Sequence, residues 1–237
     1  MKRTLLLLTG LILIAANGPA ATEDDRLGLT TGGTGAWKFY PAENRDPALP
    51  RVLLIGDSIA NGYRGVLSRE LKGKASVDVW LTPAAENDPG LHADLRKVLA
   101  QGPYAVVHFN IGLHGWPEGR IPEGQYEPLM RKYVAILREG ATNAALIWAS
   151  STPITVKDKP TELDPVNNPT ITNRNASAAQ IMKASGIPVN DLYRLVADKL
   201  ALGRGDRFHW QPPAYELMGK QAARAITEAL AQRKTKP

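Results

Sequence analysis

Short apolar runs alternate along the chain with longer stretches in which apolar residues recur at helical spacing. This alternation is typical of parallel strands that are connected by helices. The apolar runs predict strands at 52–55, 76–81, 104–110, 144–149 and 187–190. The amphipathic stretches predict helices near 59–71, 91–100, 125–139, 172–184, 192–201 and 213–232. We therefore predict one α/β domain, residues 51–232, around a five-stranded parallel sheet.

Three further segments lack this alternation. Residues 22–50 are rich in glycine and turn formers, which predicts an irregular N-terminal arm whose aromatic cluster at 37–40 docks on the domain. Residues 151–172 are polar and rich in turn formers, and a loop of this length is uncommon unless it serves a site. We expect that loop to border the ligand pocket and to help select the substrate. Residues 233–237 form a basic tail.

The beginning of the chain has the pattern of a signal peptide, residues 1–21. Lys2 and Arg3 precede an apolar stretch at 5–16, and small residues follow at 18–21. The apolar stretch is shorter than the roughly 20 residues of a membrane span. We therefore expect a secreted or periplasmic protein with no stable membrane insertion after cleavage. The chain has no cysteine, so no disulfide and no thioether-linked lipid can form.

Charge adds little to this picture. The chain has 29 lysines and arginines against 23 acidic residues, a formal net charge of +6. Such a balance fits a solvated basic surface, and it also fits attraction to an acidic polysaccharide.

The candidate chemistry begins at the turn after the first strand. Gly56-Asp57-Ser58 places a serine hydroxyl where a predicted strand gives way to a helix, and ligand sites of open parallel sheets lie at the carboxyl ends of strands. Ser58 or Asp57 could simply cap the helix, and Asp57 could instead shape a site. Asp206 and His209, far downstream, form the carboxylate and imidazole pair that a serine nucleophile needs. Together they predict nucleophilic catalysis by Ser58.

Two further loops are expected at the same edge of the sheet, residues 86–90 and 112–115. In a sheet of order 2-1-3-4-5 the strands before these loops are neighbours of the first strand. His92 and His108 are assigned to packing or surface roles, because no cluster in the sequence has the spacing of metal ligands. We expect neither a metal nor a cofactor.

The two end motifs, Gly56-Asp57-Ser58 and Asp206-x-x-His209, resemble those of the SGNH, or GDSL-like, hydrolase superfamily. The resemblance covers about residues 51–232. It implies a flavodoxin-like three-layer α/β/α sandwich, with Ser58 as nucleophile, His209 as general base and Asp206 as the group that orients His209.

The middle motifs depart from the pattern of that superfamily, which has a glycine in the second block and Gly-x-Asn-Asp in the third. Here the third block is Gly-Leu-His-Gly at 112–115, so His114 stands where an asparagine commonly donates to the oxyanion. An imidazole N–H could serve instead. The candidate oxyanion donors are the Ser58 backbone N–H, His114 and, in the second block, Gly90 or the backbone near Asn87 and Asp88.

Candidate substrate contacts come from residues next to these motifs. Asn87 lies in the second block, and Trp116 and Trp210 follow His114 and His209 closely. Either indole could stack on the apolar face of a sugar, and core packing is an equal alternative.

The resemblance implies hydrolysis of esters. We predict a secreted serine esterase that removes short acyl groups, above all O-acetyl groups on a carbohydrate, through an acyl-enzyme on Ser58. The expected partner is a small-molecule or polysaccharide ester, with no nucleic acid. A lipase or lysophospholipase and an acetyl-transferring enzyme are the enzymatic alternatives. A non-catalytic glycan-binding protein on the same fold is the alternative from another class, raised by the replaced asparagine.

Overall fold

A computed structural model describes residues 23–32, 35–43 and 45–234. The predicted signal peptide, residues 1–21, lies outside the described residues, as does the end of the predicted basic tail, 235–237. Within the described ranges, no helix has both the length and the apolar character needed to cross a membrane.

The centre of the molecule is a sheet with five parallel strands in the order β3-β2-β4-β5-β8. Its strands are β2 (Arg51–Gly56), β3 (Ser76–Leu81), β4 (Val106–Phe109), β5 (Ala145–Ala149) and β8 (Val189–Asn190). The predicted strand order and parallel direction are confirmed. A two-residue strand, β1 (Phe39–Tyr40), pairs antiparallel with β3 and forms one edge.

Helices cover both faces of the sheet and produce the predicted three layers. Along β2, Leu53 and Ile55 face one core, whereas Val52 and Leu54 face the other, as the two-residue period of a strand requires. The first core is closed by α3 (Leu91–Leu99), α4 (Tyr126–Gly140) and α5 (Asn168–Ala184). The second is closed by α2 (Ser58–Glu70), α6 (Leu192–Ala197) and α7 (Pro212–Lys234).

The N-terminal arm is more ordered than its sequence predicts. It contains a short helix, α1 (Glu23–Leu27), and the edge strand β1, and its other described residues form turns and irregular structure. Phe39 is only 4% exposed, which confirms that the aromatic cluster docks. The buried carboxylate of Asp94 in α3 anchors the arm, because its Oδ2 accepts four hydrogen bonds from the backbone and hydroxyl groups of Thr30 and Thr31, at 2.6–3.1 Å.

The segment predicted as a long polar loop is a hairpin followed by a helix. Strands β6 (Thr155–Val156) and β7 (Lys159–Leu163) pair antiparallel, and α5 begins at Asn168. Asp158 turns the hairpin with a φ of +63°, a left-handed conformation that aspartate tolerates. The predicted helix at 192–201 is likewise interrupted, since α6 ends at Ala197 and a separate 3₁₀ turn covers Leu200–Leu202.

Candidate active site

Ser58 is the first residue of α2, directly beyond the carboxyl end of β2. Asp57 caps this helix, because its Oδ1 accepts a hydrogen bond of 2.8 Å from the backbone N–H of Ile59. The Ser58 side chain is partly exposed, and its N–H belongs to the first turn, where backbone donors have no acceptor within the helix. The turn therefore presents a hydroxyl and a backbone donor at the same point.

Asp206 and His209 form a directly hydrogen-bonded pair in the loop before α7. Asp206 Oδ2 lies 2.9 Å from His209 Nδ1, and Oδ1 accepts from the backbone N–H groups of His209 (2.8 Å) and Phe208 (3.2 Å). Partial shielding from water raises the pKa of Asp206, but the hydrogen bonds from His209 and Phe208 outweigh it and leave that pKa lowered. An ionised Asp206 holds the proton of His209 on Nδ1, which frees Nε2 to act as a base.

His114 and His209 both lie near the buried carboxyl group of Asp57. Burial raises the pKa of Asp57, and the nearby imidazoles of His114 and His209 act against that rise, as do backbone hydrogen bonds in the first turn of α2. Within the part of the chain that the structure describes, no hydrogen bond joins the Ser58 hydroxyl to His209. Such bonds are often long in unliganded enzymes and tighten when substrate binds.

His114 lies in a 3₁₀ turn, Leu113–Gly115, beyond the end of β4. Burial lowers the pKa of His114 more than nearby Asp57 raises it, which favours the neutral imidazole with one N–H to donate. Its Nε2 is buried and has no hydrogen-bond partner among the described residues. The ring of Trp37 packs edge-on against His114, with centroids 5.4 Å apart and an interplanar angle of 86°. The N-terminal arm thus reaches the site.

No protein-family model matches the chain, and no curated protein sequence is significantly similar to it. Solved structures are similar. A GDSL-like lipase from Bacteroides thetaiotaomicron VPI-5482 shares 17% identity at a TM-score of 0.59, covering 76% of this chain and 89% of that chain. A carbohydrate esterase family 3 protein from Talaromyces cellulolyticus shares 13% identity at a TM-score of 0.64, covering 78% and 99%. An acetyl xylan esterase, AlAXEase, shares 15% identity at a TM-score of 0.60, covering 74% and 99%.

The chain has the SGNH hydrolase fold. The identities are low enough that the likeness concerns the fold alone, so the roles of individual residues depend on the geometry described above.

The loop at residues 86–90 mainly connects neighbouring loops. The Asn87 side-chain amide donates to the backbone oxygen of Arg120 at 2.8 Å, and the Arg120 guanidinium lies 3.3 Å from Asp88. Gly90 precedes α3, and a Cβ at this position would lie 2.3 Å from Thr30 Oγ1 of the N-terminal arm. The contacts of Asn87 and Gly90 are thus structural ones, and their proposed parts in substrate and oxyanion binding stay predictions.

The two tryptophans predicted as sugar platforms have different environments. Trp116 is partly exposed and packs at a tilt of 47° on Phe208, with ring centroids 5.3 Å apart. Trp210 is only 2% exposed and belongs to the core between the sheet and α7. Trp210 as a stacking platform is therefore a wrong prediction. Its large apolar ring is buried with the residues that dock α7, whereas Trp116, the other predicted platform, stays partly exposed.

The hairpin formed by β6 and β7 supports the loop that carries Asp206 and His209. Arg207, between them, has a φ of +84°, an unfavourable conformation for a residue with a side chain. Its backbone oxygen accepts from the N–H of Thr155 at 3.0 Å, and its guanidinium lies 3.0 Å from Asp164. The segment 151–172 thus borders the Asp206–His209 pair. Its predicted part in substrate selection stays a prediction.

His92 and His108 stay outside this cluster. His108 is fully buried in β4, its Nε2 lies 2.9 Å from the Asn190 side-chain amide, and burial lowers its pKa to about 4. His92 lies at the beginning of α3, with its Nε2 buried. Both positions agree with the packing or surface roles predicted for them.

Proposed function

We propose that this protein is a serine esterase that hydrolyses short-chain carboxylic esters, above all O-acetyl groups on a carbohydrate, through an acyl-enzyme on Ser58. The observation that carries the proposal is the 2.9 Å contact between Asp206 Oδ2 and His209 Nδ1, at the edge where Ser58 begins α2. Nucleophile, base and orienting carboxylate are the three groups that acyl transfer to serine requires.

In the proposed reaction, Ser58 Oγ attacks the ester carbonyl carbon while His209 Nε2 accepts the hydroxyl proton. The tetrahedral intermediate then collapses, and His209 returns the proton to the departing alcohol. Water attacks the acyl-enzyme in the same way, with His209 again as base, and releases the carboxylic acid and the free Ser58 hydroxyl. Asp206 stabilises the imidazolium that forms in both steps.

The negative charge on the carbonyl oxygen needs fixed donors that point to it. The Ser58 backbone N–H is one such donor in this proposal, because a backbone N–H in the first turn of a helix has no acceptor within the helix. The neutral imidazole of His114 supplies another in this proposal, in place of the asparagine that the SGNH pattern has. Gly90 or the backbone near Asn87 remains the proposed source of a third donor.

Two observations support a carbohydrate ester. Similar folds include a carbohydrate esterase family 3 protein and an acetyl xylan esterase. The partly exposed ring of Trp116, packed on Phe208 next to His209, offers an apolar surface to a sugar face. A lipase-type activity is the second candidate, since a GDSL-like lipase also has this fold.

The proposal is tested by hydrolysis of chromogenic acetate, butanoate and octanoate esters, together with acetate release from acetylated xylan. We expect the acetate ester to have the highest kcat/KM and xylan to lose its acetyl groups. A preference for octanoate would support a lipase, and acetylated product from an added sugar alcohol would support acetyl transfer. Glycan binding without any ester hydrolysis would support the non-catalytic alternative and contradict the esterase.

Trp37 gives a prediction about acyl selectivity. Its ring packs against His114, so we propose that it narrows the pocket beside the oxyanion. Trp37→Ala should raise the butanoate-to-acetate ratio of kcat/KM by about 10-fold, because excluding one or two methylenes is worth about that much. Steady-state kinetics with both esters measures the ratio.

Lys38→Ala is the matched control for Trp37→Ala. Lys38 is the next residue of the same arm, and its ammonium group lies over the ring of Tyr40, 5.1 Å from the centroid. The control should leave the ratio unchanged. An unchanged ratio in Trp37→Ala, with the melting temperature preserved, would show that Trp37 does not limit acyl length.

A further inference from the structure

Glu86 is a buried carboxyl group that the proposed mechanism does not use. It follows β3 in the second block and is only 1% exposed. Neither Oε1 nor Oε2 accepts a hydrogen bond from another residue in the part of the chain that the structure describes. Burial of an unpaired carboxylate is so costly that such groups usually take up a proton.

The Glu86 side chain lies against the His114 loop, residues 112–115. A Cβ on Gly115 would be 2.7 Å from Glu86 Oε2, and a Cβ on Gly112 would be 3.5 Å from Oε1. Gly112 also has a φ of +151°, in a region that favours glycine. The two glycines on either side of His114 therefore let the loop rest directly on the carboxyl group.

Arg174 of α5 holds the same loop from another direction. Its Nη1 donates a hydrogen bond of 2.6 Å to the backbone oxygen of Gly115 and would lie 2.9 Å from a Cβ there. No ion pair joins Arg174 to Glu86 within the described residues, although both flank Gly115. The loop is thus fixed by one hydrogen bond from Arg174 and by its close approach to the carboxyl group of Glu86.

The groups around Glu86 come from four parts of the fold. Arg174 projects from α5, Arg120 and Asp88 from the loops near the site, and Tyr126 and Tyr133 from α4. Burial raises the pKa of Glu86, and its own backbone N–H, Arg174 and Arg120 oppose the rise without cancelling it. Since neither guanidinium contacts the carboxyl group, the desolvation cost of the charged form is the larger effect.

We propose that Glu86 is a positioning residue, whose carboxyl group supports the His114 loop and so holds His114 where it donates to the oxyanion. This inference rests on the proposed function for its effect on rate. A displacement of about 1 Å at an oxyanion donor costs roughly 100-fold in rate, so a support without substrate contact has a large effect.

The experiment compares Glu86→Gln with Glu86→Ala, with Glu118→Ala on the exposed following loop as control. Glutamine keeps the shape and the neutral state, so kcat for the acetate ester should stay within about 3-fold of wild type. Alanine removes the support and should lower kcat by about 10- to 100-fold, with a smaller change in KM, because the oxyanion donor acts in the transition state. The control should match wild type.

The pH profile separates positioning from mere structural support. As the pH rises through the raised pKa of Glu86, its ionisation should displace the loop and lower kcat toward alkaline pH, because a buried charge would draw in water or Arg174. That alkaline decrease should be absent in Glu86→Gln. The proposal would be overturned if Glu86→Gln lost as much kcat as Glu86→Ala, or if Glu86→Gln kept the wild-type decrease of kcat at alkaline pH. The second outcome decides the matter even if Glu86→Ala fails to fold.

A second readout does not depend on ester hydrolysis. The chain has four histidines, so the His114 imidazole signals can be assigned by NMR with a His114→Gln variant. These signals should shift in Glu86→Ala and stay at the wild-type position in Glu86→Gln. Unchanged signals in Glu86→Ala would overturn the positioning role. If wild type hydrolysed no ester but the shift appeared, the proposed function would fail while the structural inference stood.

Discussion

Replacement of Ser58 by alanine is expected to lower kcat/KM for a chromogenic acetate ester by about 10⁴-fold or more, the order found when a serine nucleophile is removed. Ser58 Oγ is the atom that becomes acylated in the proposed reaction, and alanine offers no substitute. The helix cap by Asp57 does not involve the Ser58 hydroxyl, so the fold should be unaffected. Initial rates and a thermal melt of the same preparation measure both effects.

Ser68→Ala is the matched control, because Ser68 is exposed on the same helix, α2. It should retain wild-type kcat/KM. A Ser58→Ala protein with more than about one tenth of wild-type activity would assign the nucleophile to another group.

Asp206→Asn is expected to lower kcat for the same ester by about 10⁴-fold, the order measured when a triad aspartate is replaced in this way. The amide nitrogen of asparagine can donate to His209 Nδ1, so the imidazole would carry its proton on Nε2 and could no longer act as a base. One oxygen remains to accept the backbone N–H groups of Phe208 and His209, so the loop should keep its shape.

The control for this variant is Asp198→Asn, since Asp198 is an exposed aspartate whose ion pair with Lys199 lies at the surface. It should leave kcat unchanged. If Asp206→Asn lost less than about 10-fold, Asp206 would not orient the base, and another group would have to hold the His209 tautomer.

Much of the fold could be predicted from the sequence, because buried parallel strands leave continuous apolar runs. Arg51–Gly56 and Ser76–Leu81 illustrate this, with ends within one or two residues of the prediction. The edge strand Phe39–Tyr40 could not be found, since two residues have no measurable period. The hairpin strands β6 and β7 are short and largely polar, so they resemble a loop in sequence.

The parts of the site whose residues are close together in the sequence could be predicted. The parts that depend on the packing of distant segments could not. Asp206 and His209 are three residues apart, so their contact is local. Trp210 follows His209 directly, but its side chain turns into the core because adjacent residues point in different directions. Trp37 and Glu86 reach the His114 loop from distant segments, and only the tertiary structure brings them together.

Covalent labelling tests the central claim most directly. The full-length protein would be treated with a fluorophosphonate ester, which reacts with activated serines, and its peptides would be mapped by mass spectrometry. We predict one phosphonate, on Ser58, and labelling should proceed in parallel with the loss of acetate-ester hydrolysis. The rate of labelling should fall steeply in His209→Ala. Labelling of another serine, or hydrolysis that persists after Ser58 is fully labelled, would contradict it.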